Sequence, residues 1–253
     1  MHSLFLHWGP GSHARLEARL LPGLFPHVSW TEVDFWDQPA SVDRMPRPFE
    51  AIVEAAIERA RALAANGPIE LIGHSIGGLI GASVADRIPA LVAKLTLVSS
   101  ELNPVRGFLR FGEKLAIDPA LLASARRELT PATFWPVVTA IAQVPDLSAR
   151  YWGRRAAATR DVYLKESSRN PGLDMAVFRA VMNDLLKNPR TLTAGKFTGP
   201  VDLWLGDEDP LIDATAESAN WRAIYPQLRS EIMPGCWHFI HFEIDPALWR
   251  FRA

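Results

Sequence analysis

Short apolar runs alternate with longer amphipathic segments along the chain, and this rhythm predicts helices packed on a mixed or mostly parallel sheet. Residues 48–65 carry apolar side chains at helical spacing with charges between them, which predicts a helix that packs one face on a sheet. The apolar runs that we predict as strands span residues 4–8, 27–35, 69–73, 95–99, 201–205 and 228–233.

The strand rhythm stops after residue 100 and resumes at residue 201. Residues 101–170 form helix-like segments that carry Trp and Arg and contain no evident strand. We therefore expect residues 1–100 and 171–253 to form an α/β core. Residues 101–170 are expected to form an inserted helical cap over the carboxyl ends of the strands.

Composition excludes several classes of protein. The 253 residues are 48% hydrophobic and 22% charged, which is enough apolar surface for a buried core and argues against a disordered chain. A net charge of -1 argues against a general nucleic-acid binder, and the single Cys236 excludes an internal disulfide framework. No apolar run reaches the length of a membrane span, and the first residues lack the basic region of a signal peptide. These features predict a cytoplasmic protein and leave its oligomeric state open.

The strongest chemical motif lies at residues 73–77, where an apolar strand runs into Gly-His-Ser-Ile-Gly and then a helix. This is the pattern of a nucleophile elbow, in which a serine is held on a sharp turn between strand and helix. Gly73 and Gly77 supply the small neighbours that let such a turn close against adjacent strands. The helix N-terminus favours a developing oxyanion, with the Ile76 N–H as its natural donor.

A serine nucleophile needs a base, and the base needs an orienting carboxylate. Downstream of Ser75, a predicted strand ends in an acidic turn that contains Asp209, and a later strand ends in a loop that contains His238. Asp209 is favoured because it lies three residues after Gly206, and Pro210 stops the strand there. The nearby alternatives are Asp207 and Asp202 for the acid and His241 for the base.

These motifs together resemble the α/β-hydrolase fold superfamily, in its small form with a cap and serine-esterase chemistry. The resemblance covers nearly the whole chain and implies Ser75 as nucleophile, Asp209 as acid and His238 as base. Some members of the superfamily place their acid where Glu101 stands, so Glu101 is a further alternative. The first two strands of the full fold are absent here, and residues 4–8 fill the place of the third. The resemblance requires no metal or organic cofactor.

The second oxyanion donor is expected from the loop after the first strand. Members of the fold usually have His-Gly there, whereas this chain has His7 followed by Trp8. Pro10 lacks an N–H. We therefore predict Gly9 as the second donor, with Trp8 as the alternative.

The implied reaction is hydrolysis of an acyl bond in a small-molecule substrate, most simply a carboxylic ester, through an acyl-enzyme. Thioester hydrolysis and carbon–carbon bond hydrolysis use the same three residues. An Arg-rich stretch favours a phosphate-bearing thioester carrier as one alternative. It comprises Arg150, Arg154, Arg155, Arg160 and Lys165.

Three other interpretations remain. Residues 9–14 fit a dinucleotide fingerprint, with Glu32 and Asp34 about 20 residues further on. A metal site of His238, His241 and Asp209 fits by residue type but lacks the spacing of a zinc hydrolase. A relative that binds ligands without catalysis is the third, because one fold hosts many functions.

Overall fold

Within the described residues, six parallel strands form one central sheet, in the order β2-β1-β3-β4-β5-β6. The computed structural model describes residues 1–26, 29–169, 173–189 and 195–244, and the side chains of all of these except 40, 155 and 166–169. The mostly parallel sheet expected from the sequence is confirmed. The strands are β1 (Ser3–Leu6), β2 (Val33–Trp36), β3 (Ile69–His74), β4 (Val92–Val98), β5 (Val201–Gly206) and β6 (Arg229–Met233).

The second strand is shorter than its sequence predicts. We expected a strand over residues 27–35, but β2 begins only at Val33, and Trp30–Glu32 form a 3-10 turn. Residues 27 and 28 lie outside the described residues. The late start of β2 follows from the position of the neighbouring strand β1. Because β1 begins at Ser3, which pairs with Val33, the residues before Val33 have no residue of β1 to pair with.

Successive side chains along each strand point to opposite faces of the sheet, and this divides the core into two layers. In β3, Leu71 packs with the larger apolar cluster on one face of the sheet, and Ile72 packs with the smaller cluster on the other. Helices cover both faces, as expected for a parallel sheet buried on both sides. They are α1 (Arg15–Leu24), α2 (Pro48–Leu63), α3 (Ile76–Arg87), α4 (Pro104–Lys114), α5 (Pro119–Arg127), α6 (Pro131–Ala142), α7 (Ala157–Arg169), α8 (Met175–Lys187) and α9 (Ala214–Ile224).

Helices α4 to α8 lie in the long connection between β4 and β5. Three of them begin with proline after a capping residue: Asn103 accepts a hydrogen bond from the N–H of Arg106, Asp118 caps α5, and Thr130 caps α6. Helix α8 differs from the others because it packs on α2, beside the sheet. In the part of the chain that is described, no helix has the length and apolar character needed to cross a lipid bilayer.

Candidate active site

Ser75 occupies the turn between β3 and α3 with a strained backbone. Its φ of 55° and ψ of -123° are unfavourable for a residue with a side chain. The turn is tight because its glycines leave no room: a Cβ on Gly73 would lie 2.4 Å from the carbonyl oxygen of Gly77, and a Cβ on Gly77 would lie 2.0 Å from the carbonyl oxygen of Leu6. The sequence motif therefore adopts the geometry of a nucleophile elbow.

The structure brings His238 and Asp209 to Ser75. His238 Nε2 lies 3.1 Å from Ser75 Oγ, and His238 Nδ1 lies 2.8 Å from Asp209 Oδ2. The other carboxylate oxygen of Asp209 accepts the backbone N–H groups of Leu211 and Ile212, at 2.9 Å and 3.3 Å. Both Asp209 and His238 are buried, so their geometry is fixed by packing as well as by hydrogen bonds. This arrangement leaves Nε2 able to accept the serine proton while Nδ1–H donates to the carboxylate.

The alternative acids do not contact His238: two of them bind other groups, and the third has no hydrogen bond to the histidine. Asp207 Oδ1 accepts the N–H of Gly235 at 2.6 Å, and Asp202 pairs with Lys94 Nζ at 2.9 Å. Among the described residues, Glu101 has no hydrogen bond to His238, whose two ring nitrogens face Asp209 and Ser75. The geometry thus favours Asp209.

Glu101 instead contributes a carboxyl group to the wall of the cavity above Ser75. Burial raises the pKa of Glu101 well above its ordinary value, and the negative charges of Glu217 and Asp209 raise it further, against the opposing effect of Arg110. A protonated carboxyl group at this position donates as well as accepts a hydrogen bond.

The loop after β1 forms part of the wall of the same cavity. Trp8, Gly9 and Pro10 all line it, together with Ile76 at the start of α3. His7 orders this loop, because its Nδ1–H donates to the carbonyl of Trp8 at 2.7 Å and its Nε2 accepts the N–H of Gln38 at 3.4 Å. Ile76 and Gly9 therefore lie where oxyanion donors are needed, and their role as donors stays a prediction.

The cavity has a volume of about 190 Å³ and a mainly apolar wall. Tyr151, one of the aromatic residues of the 101–170 segment, lines it, whereas Trp152 is buried against Phe239 at 4.2 Å in a stacked arrangement. Helices α4, α6 and α8 supply eight of the nineteen residues that line it. Their contributions include Pro104, Phe108, Val138, Ile141, Met175, Phe178 and Met182.

A second group of polar side chains lies behind the elbow; the sequence pointed to His241 as an alternative base, but it did not single out Glu17. His74, His241 and Glu17 are each at most 1% exposed. His74 Nε2–H donates to the carbonyl of His238 at 3.1 Å, and burial, with a further contribution from His241, lowers the pKa of His74 well below its ordinary value. Glu17 falls on the buried face of α1, beside Leu16 and one turn before Leu21. An acidic residue on an apolar helix face was the available sequence signal.

The residues of the dinucleotide fingerprint have structural roles in this fold. Glu32 pairs with the amino terminus at 2.7 Å, and Asp34 accepts two hydrogen bonds from Arg59. A Cβ on Gly11 would lie 2.5 Å from the carbonyl oxygen of Asp174, so this glycine permits close approach of the loop to the start of α8. Both acids are thus already neutralised by cations of the chain itself.

Comparison with known proteins identifies the family. A proline iminopeptidase-related protein from Thermus thermophilus is 19% identical, with a TM-score of 0.65 over 96% of this chain and 84% of that chain. A protein described as Est816, an N-acyl homoserine lactone degrading enzyme, is 16% identical, with a TM-score of 0.60 over 96% and 88%. An esterase from Thermogutta terrifontis is 16% identical, with a TM-score of 0.55 over 96% and 84%. No curated protein sequence matches the chain. The model of the alpha/beta hydrolase fold family matches residues 37–245, and the chain belongs to this family.

Proposed function

We propose that the protein is a serine hydrolase that cleaves a carboxylic ester through an acyl-enzyme. The observation that carries the proposal is the continuous hydrogen-bonded series from Ser75 Oγ through His238 to Asp209, at 3.1 Å and 2.8 Å. Ser75 attacks the carbonyl carbon, and His238 takes the proton while Asp209 holds its imidazole. The proton then passes to the leaving alcohol, and a water molecule activated by His238 releases the acid.

The charge that develops on the carbonyl oxygen is stabilised by the backbone N–H groups of Ile76 and Gly9. The N-terminus of α3 adds its positive dipole end at the same place. The wall of the cavity is mainly apolar, which supports a hydrocarbon acyl chain as the part of the substrate that binds there. In this proposal residues 101–170 are the cap that encloses the acyl chain.

The experiment measures nitrophenol release from a series of acyl nitrophenyl esters by the wild type and by Ser75→Ala. Ser83→Ala is the matched control. Ser83 lies on α3, the helix that follows Ser75, and donates a hydrogen bond to the carbonyl of Leu79, away from the cavity. We expect turnover and labelling by a serine-directed phosphonate in the wild type and in Ser83→Ala, and neither in Ser75→Ala. Turnover or labelling that persists in Ser75→Ala would refute the assignment.

A thioesterase is the second candidate, favoured by a separate cavity next to Asp209 and Pro210. This cavity has a volume of about 320 Å³ and is lined by the cations Arg110, Lys114 and Arg150 together with the carboxylates Asp207, Glu208 and Asp209. In this second proposal the three cations bind the phosphates of a thioester carrier, against repulsion from the three carboxylates. Arg150→Ala should then raise the KM for an acyl-CoA and leave the KM for a neutral ester unchanged. Equal effects on both substrates would remove the thioesterase from consideration.

A further inference from the structure

The buried group behind the elbow joins three separate parts of the fold. Glu17 comes from α1, His74 from the last residue of β3, and His241 from a 3-10 turn after β6. One ligand atom from each of the three side chains lies within 4.8 Å of the others, and all three residues are at most 1% exposed. No step of the proposed reaction uses Glu17 or His241.

Polar atoms of Glu17 and His74 are not satisfied by hydrogen bonds. Among the described residues, both carboxylate oxygens of Glu17 and the Nδ1 atom of His74 are buried without a hydrogen-bond partner. His241 Nε2 lies 3.8 Å from Glu17 Oε1, which is an ion-pair separation and longer than a hydrogen bond. A buried carboxylate in this state is costly unless a cation or a proton accompanies it.

The hydrogen bond of His74 shows which of its ring nitrogens carries the proton and which keeps a lone pair. Because Nε2 lies 3.1 Å from the carbonyl oxygen of His238, it carries the ring proton and donates. The Nδ1 atom therefore keeps its lone pair, and the His74 ring lies with its centroid 4.3 Å from that of His241. A histidine that donates one ring N–H to a backbone carbonyl and presents the other nitrogen is the usual arrangement of a metal ligand.

We propose that Glu17, His74 and His241 bind one divalent transition-metal ion of the zinc type. Two imidazoles and one carboxylate suit Zn²⁺ or Co²⁺, whereas Mg²⁺ and Ca²⁺ prefer oxygen ligands alone. A water molecule completes the tetrahedral coordination. Bonds of about 2.0–2.1 Å place tetrahedral ligand atoms about 3.4 Å apart, so ligand atoms that lie within 4.8 Å of one another approach by up to about 1.4 Å around the ion.

The ion acts as a structural clamp and does not take part in the acyl transfer. It ties α1 and the segment after β6 to the strand that ends in the elbow, so the loop of His238 is held from behind. Because the site is closed, the ion enters while the chain folds. Binding of the ion therefore does not depend on whether Ser75 cleaves an ester.

The experiment uses the untagged full chain. The protein is unfolded with a chelator, refolded with or without Zn²⁺ or Co²⁺, and dialysed, after which its metal content and Tm are measured. We expect about one ion per chain, a higher Tm with metal than without, and the intense visible absorption of tetrahedral Co²⁺. Cys236 is the sole cysteine, so a thiolate-to-cobalt band would assign the ion to it and overturn the proposal.

Variants identify the ligands. Glu17→Gln and His241→Gln should each lower metal affinity by at least about tenfold and abolish the rise in Tm. Glu70→Gln controls for loss of a buried carboxylate, since Glu70 is also 1% exposed but lies outside the group, and His2→Gln controls for a terminal histidine. Ser75→Ala should bind the ion as the wild type does.

Two results overturn the proposal. One is a wild type that retains no ion and shows no change in Tm after refolding with Zn²⁺ or Co²⁺. The other is a Glu17→Gln or His241→Gln protein that retains the ion with unchanged affinity. If these variants fail to fold, the wild-type cobalt spectrum decides, because weak octahedral bands would mean an ion on the surface only.

Discussion

The role of Asp209 makes a sharp prediction for Asp209→Asn. Asp209 Oδ1 accepts two backbone N–H groups, from Leu211 and Ile212, and Oδ2 faces His238 Nδ1. An asparagine keeps its single oxygen on the two backbone donors, so its NH₂ group turns toward Nδ1. The imidazole then places its proton on Nε2, facing Ser75 Oγ, and cannot accept the serine proton.

The magnitude follows from this wrong tautomer. The same substitution in the serine-protease triad lowers kcat about 10⁴-fold, which corresponds to about 5 kcal/mol of transition-state stabilisation. We expect a loss of this size in kcat for nitrophenyl ester hydrolysis, with the variant still folded by near-UV circular dichroism. Asp207→Asn, two residues earlier in the same turn, is the matched control and should lose far less.

The refuting result is equally definite. If Asp209→Asn keeps kcat within about tenfold of the wild type, the carboxylate does not orient the base. If Glu101→Gln shows the large loss instead, Glu101 is the acid and the hydrogen bond to Asp209 has only a structural role. Measuring both variants on one substrate separates these two cases.

Three further predictions concern stability. Burial raises the pKa of Glu101, so the folded state holds this proton to higher pH than the unfolded chain does. The wild type should therefore lose stability relative to Glu101→Gln as the pH rises above the ordinary carboxyl pKa, by up to about 1.4 kcal/mol per pH unit. Urea unfolding of both proteins from pH 5 to 8 measures this difference, and a difference that stays constant with pH would contradict the prediction. Gly77→Ala should not reach a stable native state because its Cβ would lie 2.0 Å from a carbonyl oxygen. The control variant Gly23→Ala, whose Cβ meets nothing within 4 Å, should raise the free energy of unfolding by about 0.5–1 kcal/mol. Comparable Tm values for the two variants would argue against the close approach at Gly77. Trp152→Ala should cost about 3–5 kcal/mol because Trp152 is 3% exposed and stacks on Phe239; a cost below about 1 kcal/mol in urea unfolding would mean that the stack contributes little.

The strands and the elbow could be predicted because their causes are local. Apolar runs of strand length mark β3 and β5. The motif around Ser75 contains Gly73 and Gly77 because the turn leaves no room for a Cβ at either position. The candidate acid and base were also predictable, since turn residues such as Pro210 mark where a strand ends.

Features that depend on distant partners were not predictable in the same way. The start of β2 is set by where β1 begins, and Glu17 on α1 has His74 and His241 as neighbours. Nothing in the sequence near residue 17 specifies those neighbours, which come from β3 and from the segment after β6. Periodicity shows that a face is apolar, but it does not identify what covers that face.

The strand order has a kinetic consequence for a newly synthesised or refolding chain. The hydrogen bond between Ser75 and His238 joins residues 163 apart in sequence, and β6, which precedes His238, is an outermost strand of the described sheet and pairs there with β5. Contacts so distant along the chain form late because loop closure must precede them. No intermediate that lacks the β5–β6 pairing has its base in place, so recovery of catalytic turnover after dilution from denaturant should report completion of the last strand rather than the initial collapse.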